Sequence, residues 1–288
     1  MIYLLLSIFF TTGLILIFKL FQRFEIDNFQ AIVFNYITAG SICLFMSDTP
    51  FSPTQIIKQD WFNSAFIIGV LFICLFNLIA YSAQKIGIAI TSVSTKISLC
   101  IPVIFGFIYY GDSINFLKIT GICMALISIY FTSKKEISDT GRSRNYILVP
   151  IVLFVCTGLL DLILIYSQET YEIVNKGLEL EFSAMLYTIA GCIGVPILFI
   201  KSLKGHKIER KNVIAGIGLG VPNVLSIVFF LKCLNHFPES TFVFPINNMG
   251  IIATSAIFAS VLFKEHLSKI NWIGILIAML SILLISIS

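Results

Sequence analysis

Charged side chains are scarce in this sequence. Only 12% of its 288 residues are Asp, Glu, Lys or Arg, whereas a soluble globular domain carries about 25%. Apolar residues make up 58%, and the mean hydropathy is +0.98. The longest polar gaps, residues 47–62 and 169–181, are long enough for a connection but too short to bury a core of their own. These shortages exclude a soluble domain as the main part of the chain.

Motifs that carry chemistry are missing as well. The sequence has no Gly-x-x-x-x-Gly-Lys-Ser loop for nucleotide phosphates, no His-Glu-x-x-His pair and no Gly-x-Ser-x-Gly turn. The seven cysteines lack Cys-x-x-Cys spacing, and the three histidines have no ligand partner nearby. We therefore expect no metal and no cofactor. Because the basic residues are scattered without an aromatic groove, we also expect no nucleic-acid partner.

Long apolar runs are what the sequence does contain. Each has roughly 18 to 25 residues, enough to cross about 30 Å of hydrocarbon at about 1.5 Å per helical residue. The predicted spans are residues 2–21, 29–46, 63–83, 88–109, 115–132, 146–168, 182–200, 212–233, 240–263 and 268–287. We therefore predict an all-α integral membrane protein with ten transmembrane helices.

The sequence also repeats itself. D-S-I-N-F-L-K-I-T-G at 112–121 aligns with E-H-L-S-K-I-N-W-I-G at 265–274, which pairs Asn115 with Ser268, both good helix caps. Y-I-T-A-G at 36–40 returns as Y-T-I-A-G at 187–191. Because five helices is an odd number, a second copy enters the membrane from the opposite side, as in an inverted repeat. We predict halves at 1–133 and 146–288, joined by a linker at 134–145.

Several segments resemble one transporter family. They are V-F-P-I-N-N at 243–248, F-K-E-H-L-S at 263–268, Gly274, Pro102, Gly111-Asp112 and Gly121. With them, the whole chain resembles the ten-helix EamA-like branch of the drug/metabolite transporter superfamily. Asp112 departs from the Glu that is usual there. The resemblance implies a secondary transporter or exporter of metabolites, and it leaves the substrate open because this fold hosts many carriers.

Basic residues are unequally divided between the two sides of the membrane. Fourteen of the 19 fall on the side reached after the odd-numbered helices. The other side has Lys58, Lys118, Lys176 and Lys232. Since cytoplasmic loops carry the excess of Lys and Arg, we expect a multi-pass protein of the inner (plasma) membrane with both termini outside. The family resemblance implies the opposite orientation, with both termini in the cytoplasm.

Two ionisable residues lie well inside predicted spans. A charge at a helix centre costs about 2.5 to 3.5 kcal/mol on insertion scales, so each is a candidate for function. Lys96, in the fourth span, is predicted to bind an anionic group of the substrate; the alternative is a structural cation paired with carbonyls or an acid. Asp161, in the sixth span, is the candidate for ion coupling. Counting along the helices places Lys96 and Asp161 at different depths.

Uncharged polar residues complete the predicted site. They are Thr95, Asn77, Tyr81, Asn223, Asn247 and Asn248. The alternative for each is an interhelical hydrogen bond, worth roughly 0.6 kcal/mol in membranes. The repeat aligns Ser94 and Thr95 with Asn247 and Asn248, which places equivalent polar patches near the midplane, where inverted-repeat carriers bind.

Proline and glycine mark places where helices are expected to bend or to approach closely. Pro102 and Pro245 are predicted to bend the fourth and ninth helices. Three glycines in the eighth helix are predicted to let another helix approach it closely: Gly216, Gly218 and Gly220. Such an approach is consistent with a gate and equally with tight static packing.

The predicted function is secondary transport of a small polar or anionic metabolite by alternating access, as an exporter or exchanger. No nucleotide motif is present, so the energy comes from a gradient, an exchange or a partner protein. The alternatives are an intramembrane enzyme and a lipid-handling membrane protein without solute flux. Oligomeric state is left open.

Overall fold

The computed structural model describes residues 2–47, 57–110, 115–134, 145–173, 176–236 and 243–287. Within them, ten helices are long and apolar enough to span a membrane. They are α1 (Ile2–Arg23), α2 (Asn28–Met46), α3 (Phe62–Lys85), α4 (Ile88–Ile108), α5 (Phe116–Ser133), α6 (Asn145–Thr170), α7 (Glu179–Leu203), α8 (Arg210–His236), α9 (Val243–Leu262) and α10 (Lys269–Ser286). The prediction of an all-α protein with ten membrane helices is confirmed, and each end lies within about three residues of its predicted place.

Polar side chains cap several helix starts, where backbone N–H groups lack intrahelical partners. Asn115 accepts a hydrogen bond from Leu117 N–H at 3.3 Å at the start of α5. Ser268 and Asn271 form a capping box at the start of α10. Both helix caps expected from the repeat, Asn115 and Ser268, are therefore confirmed.

The fourth span is not one continuous α-helix. It consists of an α-helix over Ile88–Lys96, a 3-10 turn over Ile97–Leu99, an α-helix over Cys100–Phe105 and a π-helical segment that begins at Gly106. Pro102 has no N–H, so the Ser98 carbonyl lacks its usual donor four residues on, and the irregular turn lies where that bond is missing.

Pro245 is the third residue of the described part of α9, which continues without interruption to Leu262. The turn before Pro245, where the proline would free a carbonyl, includes residues 237–242, which lie outside the described residues. The bend at Pro245 therefore stays a prediction.

Two compact units make up the chain, and each takes segments from both predicted halves. Unit one comprises Met1–Lys19, Ile79–Asp161 and Ser226–Ser288. Unit two comprises Leu20–Leu78 and Leu162–Leu225. In unit one, α5 packs against α10 and α4 against α9; in unit two, α2 packs against α7. Gly111, Asp112 and most of the predicted linker, 135–144, lie outside the described residues.

Close helix packing in unit two depends on glycine. A Cβ on Gly216 would lie 2.5 Å from the Ala31 carbonyl oxygen, and one on Gly220 would lie 2.7 Å from Thr38 Cβ. The expected close approach is therefore confirmed at these two positions. It is wrong for Gly218, where a Cβ would meet nothing within 4 Å.

Candidate functional site

Lys96 is a charged residue inside a membrane-spanning segment. It is the last residue of the first α-helical part of α4 and is followed directly by the 3-10 turn. The residue is partly buried. The described part of the chain offers its ammonium neither a hydrogen bond nor an ion-pair contact. A cation at this depth with no direct partner is costly, and its three N–H donors are free for a ligand.

Asp161 on α6 lies close to this part of α4. Its Oδ2 accepts a hydrogen bond from Ser98 Oγ at 3.0 Å, and its charge interacts electrostatically with that of Lys96. A Cβ on Gly158 would overlap the Ile101 side chain, so the same face of α6 lies directly against α4. Asp161 is thus a counter-charge for Lys96 without being in ion-pair contact with it.

The expected separation in depth between Lys96 and Asp161 is therefore wrong. The expectation assumed that both helices start at the same level of the membrane. α6 has 26 residues and is about 39 Å long, which exceeds the roughly 30 Å of hydrocarbon. A residue counted from the start of so long a helix lies less deep than its number suggests, and tilt adds to the error.

Two contacts fix how α9 runs beside α4. The Ile88 N–H at the start of α4 donates to both carboxylate oxygens of Glu265, beyond the end of α9, at 3.2 and 3.0 Å. Nearer the middle, Ser92 Oγ donates to the Ile251 carbonyl at 3.4 Å. The two helices are therefore antiparallel, with the face that contains Ser92 turned toward the face that contains Ile251.

Asn247 lies level with Lys96 on these facing surfaces. Lys96 is four residues after Ser92 and Asn247 is four residues before Ile251, so each is one turn, about 6 Å, beyond their contact on the same helix face. Asn247 is only 7% exposed, and its Oδ1 has no hydrogen-bond partner among the described residues. An unsatisfied buried acceptor costs about 1 to 3 kcal/mol, which a ligand donor would recover.

A second unsatisfied group lies on α6. The Thr157 hydroxyl is buried without a partner in the described part of the chain, one turn before Asp161. Sequence reasoning missed Thr157 and Ser98. The i, i+4 spacing to Asp161 could have pointed to Thr157, but nothing in the sequence pairs Ser98 with Asp161.

The other predicted residues of unit one contribute less clearly. The Thr95 hydroxyl lies 3.1 Å from the carbonyls of Thr91 and of Ser92 in its own helix. Asn248 is buried beside Asn247 on α9, whereas the Tyr81 side chain is 40% exposed. The structure therefore places Asp161 against the turn that follows Lys96, and helix spacing from the Ser92–Ile251 contact puts Asn247 at the level of Lys96.

Asn77 and Asn223 belong to unit two. The Asn77 amide donates to the Ile73 carbonyl one turn earlier at 2.7 Å. Asn223 accepts from the Tyr187 hydroxyl at 3.4 Å and donates to Asn35 Oδ1 at 3.1 Å. Asn223 and its two partners are all buried, so Asn223 fits the alternative of an interhelical hydrogen bond.

Comparison with known proteins decides the family. The sequence model of the EamA-like transporter family matches residues 1–134 and 149–287. The chain belongs to the EamA-like transporter family. This EamA-like protein is 27% identical over 270 residues to an uncharacterized protein of Haemophilus influenzae, with 92% of this chain and 90% of the relative covered. A crystal structure of another protein has the same fold, with a TM-score of 0.59 at 12% identity over 98% of this chain and 94% of the other.

Because the chain belongs to the EamA-like transporter family, its general activity is membrane transport. Members of the family are membrane transporters of the drug/metabolite type, so a small-molecule substrate and a lipid bilayer are its partners. Among the described residues, no group of three or more His, Cys, Asp or Glu side chains is arranged to hold a metal ion.

Proposed function

We propose that this EamA-like protein is a secondary transporter of a small anionic metabolite, whose anionic group binds Lys96. The observation that carries the proposal is an ammonium within α4 that makes no contact with a protein acceptor in the described chain. An anion supplies the missing partner, since a charge-assisted hydrogen bond is worth roughly 1.5 to 3 kcal/mol.

The neighbouring groups favour a substrate that also carries a hydrogen-bond donor. Asn247 Oδ1 is an acceptor without a partner in the described chain, level with Lys96. A hydroxyl or amine beside the substrate's carboxylate or phosphate would satisfy it. Thr95 and Asn248, the sequence neighbours of these two residues on α4 and α9, stay predicted contributors to the binding surface.

Alternating access between inverted halves is supported by reciprocal contacts in unit one. A Cβ on Gly121 of α5 would lie 2.7 Å from Ile285 of α10, and a Cβ on Gly274 of α10 would lie 2.6 Å from Thr132 of α5. Gly274 and Ile285 are the repeat equivalents of Gly121 and Thr132, each 153 residues on. Replacing each residue by its repeat equivalent turns the first contact into the second. Two halves related by a two-fold axis make such reciprocal contacts, whereas two halves related by a translation do not.

Unit two has the same kind of reciprocal contact at an offset of 151 residues. A Cβ on Gly40 would lie 3.5 Å from Tyr187, and one on its equivalent Gly191 would lie 3.9 Å from Tyr36. Tyr36 and Tyr187 are themselves equivalent and stack with their ring centroids 6.1 Å apart. This pairing favours halves at 1–133 and 146–288 that arose from one inverted repeat.

The proposed setting is the inner membrane, with both termini outside. It rests on the excess of Lys and Arg on the side reached after odd-numbered helices. Independently of this orientation, we propose that the protein exports its substrate or exchanges it, with Asp161 as the candidate for ion coupling.

A solute screen tests the proposal. Purified protein is heated with carboxylates and phosphates that carry a hydroxyl or amine, and a ligand at about 100 times its dissociation constant adds about 2.7 kcal/mol of stability. The stabilising solute is then loaded into proteoliposomes. Protein-dependent flux supports a carrier. Stabilisation without flux favours a membrane protein that binds but does not transport, and stabilisation by cations alone contradicts the anion site.

A further inference from the structure

We infer that an anion bound at Lys96 brings one proton with it, which Asp161 takes up, so that the anion and the proton cross the membrane together. This inference rests on the proposed function and deepens it by naming how the ion is coupled. Without substrate, the Lys96 ammonium and the Asp161 carboxylate balance each other's charge.

Charge balance is the physical reason. A bound monoanion would leave the group of Lys96, Asp161 and substrate with one net negative charge inside the hydrocarbon, where uncompensated charge is costly. Uptake of one proton from the aqueous phase converts the Asp161 carboxylate to the neutral acid, while Lys96 keeps all its protons. The loaded site is then neutral, as the empty site was, and the transported pair carries no net charge.

Ser98 can hydrogen-bond Asp161 in either protonation state. Its hydroxyl lies 3.0 Å from Asp161 Oδ2 and 2.8 Å from the Thr95 carbonyl, and it has one proton to donate. When Asp161 is ionised, the hydroxyl donates to the carboxylate. When Asp161 is protonated, the hydroxyl turns to the Thr95 carbonyl and accepts the acid proton, so proton uptake leaves neither group unsatisfied.

Among the described neighbours of Asp161, Lys96 is the group whose charge favours the ionised carboxylate. From α4, Lys96 is the charged residue that interacts with it, and Ser98 is the uncharged neighbour that donates to it. On α6 itself, Thr157 is one turn away, and the nearest acid along the chain, Glu169, is two turns away at the exposed helix end. Neutralising Lys96 therefore removes the charge that favours the Asp161 carboxylate.

Lys96→Gln mimics that neutralisation without any ligand. Infrared difference spectroscopy of the purified, folded protein at pH 7 detects the carbonyl stretch of a protonated carboxylic acid apart from carboxylate bands. We expect about one additional protonated carboxyl per chain in Lys96→Gln compared with wild type, and its loss in the Lys96→Gln/Asp161→Asn double variant. Lys118→Gln, which removes a lysine beside Phe107 on the same unit, should leave the spectrum unchanged.

No additional protonated carboxyl in Lys96→Gln would overturn the inference, as would a band that survives Asp161→Asn. Lys96→Met serves the same purpose if the glutamine variant does not fold. Because no ligand is present, this result is separate from the proposed function, which fails instead if an anion that binds wild type binds Lys96→Gln equally well.

Discussion

Lys19 Nζ lies 3.2 Å from Glu265 Oε1, in an ion pair that joins the end of α1 to the connection between α9 and α10. The side chains are only 20% and 15% exposed. Glu265 also accepts the Ile88 N–H at the start of α4, and Lys19 donates to the Gln84 carbonyl at the end of α3 at 3.2 Å. One pair of charges thus joins the ends of four helices within unit one.

Glu265→Gln should destabilise the protein by about 1 to 2 kcal/mol, because the amide oxygen can still accept from Ile88 while the ion pair is lost. Thermal unfolding in detergent measures the change. The matched control is Glu209→Gln, which removes an ion pair of the same 3.2 Å length to Lys211, but with side chains 55% and 44% exposed. We expect less than about 0.5 kcal/mol there. Equal shifts for both variants would contradict a structural role for Glu265.

Gly274→Ala should destabilise the α5–α10 packing. The new Cβ would meet the Thr132 backbone nitrogen at 2.6 Å, and a backbone atom cannot move aside as a flexible side chain does. Overpacking of this kind costs about 1 to 3 kcal/mol. Gly218→Ala, with open space around its Cβ, should be neutral or stabilise by up to about 1 kcal/mol, because Ala favours the helix. If Gly274→Ala and Gly218→Ala shifted the unfolding midpoint in the same direction, the close α5–α10 packing at Gly274 would be contradicted.

The orientation can be tested by fusions to the C-terminus. Alkaline phosphatase is active only outside the cytoplasm, and a cytoplasmic fluorescent protein folds only inside it. The basic bias predicts phosphatase activity together with a dark fluorophore. The reverse pattern would place both termini in the cytoplasm, as the family resemblance implies.

Asp161→Asn should abolish accumulation of substrate driven by a proton gradient, because the variant has no carboxylate to protonate at this site. Equilibration of substrate down its own gradient should persist. Uptake into proteoliposomes with and without an imposed pH gradient distinguishes the two, and Glu169→Gln at the exposed end of α6 is the control. Uphill transport at the wild-type rate in Asp161→Asn would leave Asp161 with a structural role.

Those features of the fold that depend on composition and length were predictable from the sequence. An uninterrupted apolar run has to become a helix that satisfies its own backbone in the membrane, so all ten spans were found. Cap chemistry was equally local, at Asn115 and Ser268. Gly216 and Gly220 were identified as close contacts. Gly218 is likewise flanked by apolar residues but faces open space, because which side of a helix meets a partner depends on tertiary packing.

The candidate site was predictable only in part. The cost of a charge in hydrocarbon identifies Lys96 and Asp161 individually. Their proximity was missed, since helix lengths and tilts set depth and a sequence specifies neither. Ser98 was missed because a serine in a membrane helix ordinarily bonds to its own backbone, and its contact with α6 depends on the glycine at position 158.

The central claim is that Lys96 binds the anionic group of the substrate. The most direct measurement is the affinity of the stabilising solute from the screen for wild type, Lys96→Gln, Lys96→Arg and the control Lys118→Gln, with folding verified for each by size-exclusion profile. Loss of one charge-assisted hydrogen bond predicts a ten- to about a hundredfold weaker affinity for Lys96→Gln. Lys96→Arg should restore part of it, since the planar guanidinium differs in shape from an ammonium, and Lys118→Gln should match wild type. Unchanged affinity in a well-folded Lys96→Gln variant would contradict the claim.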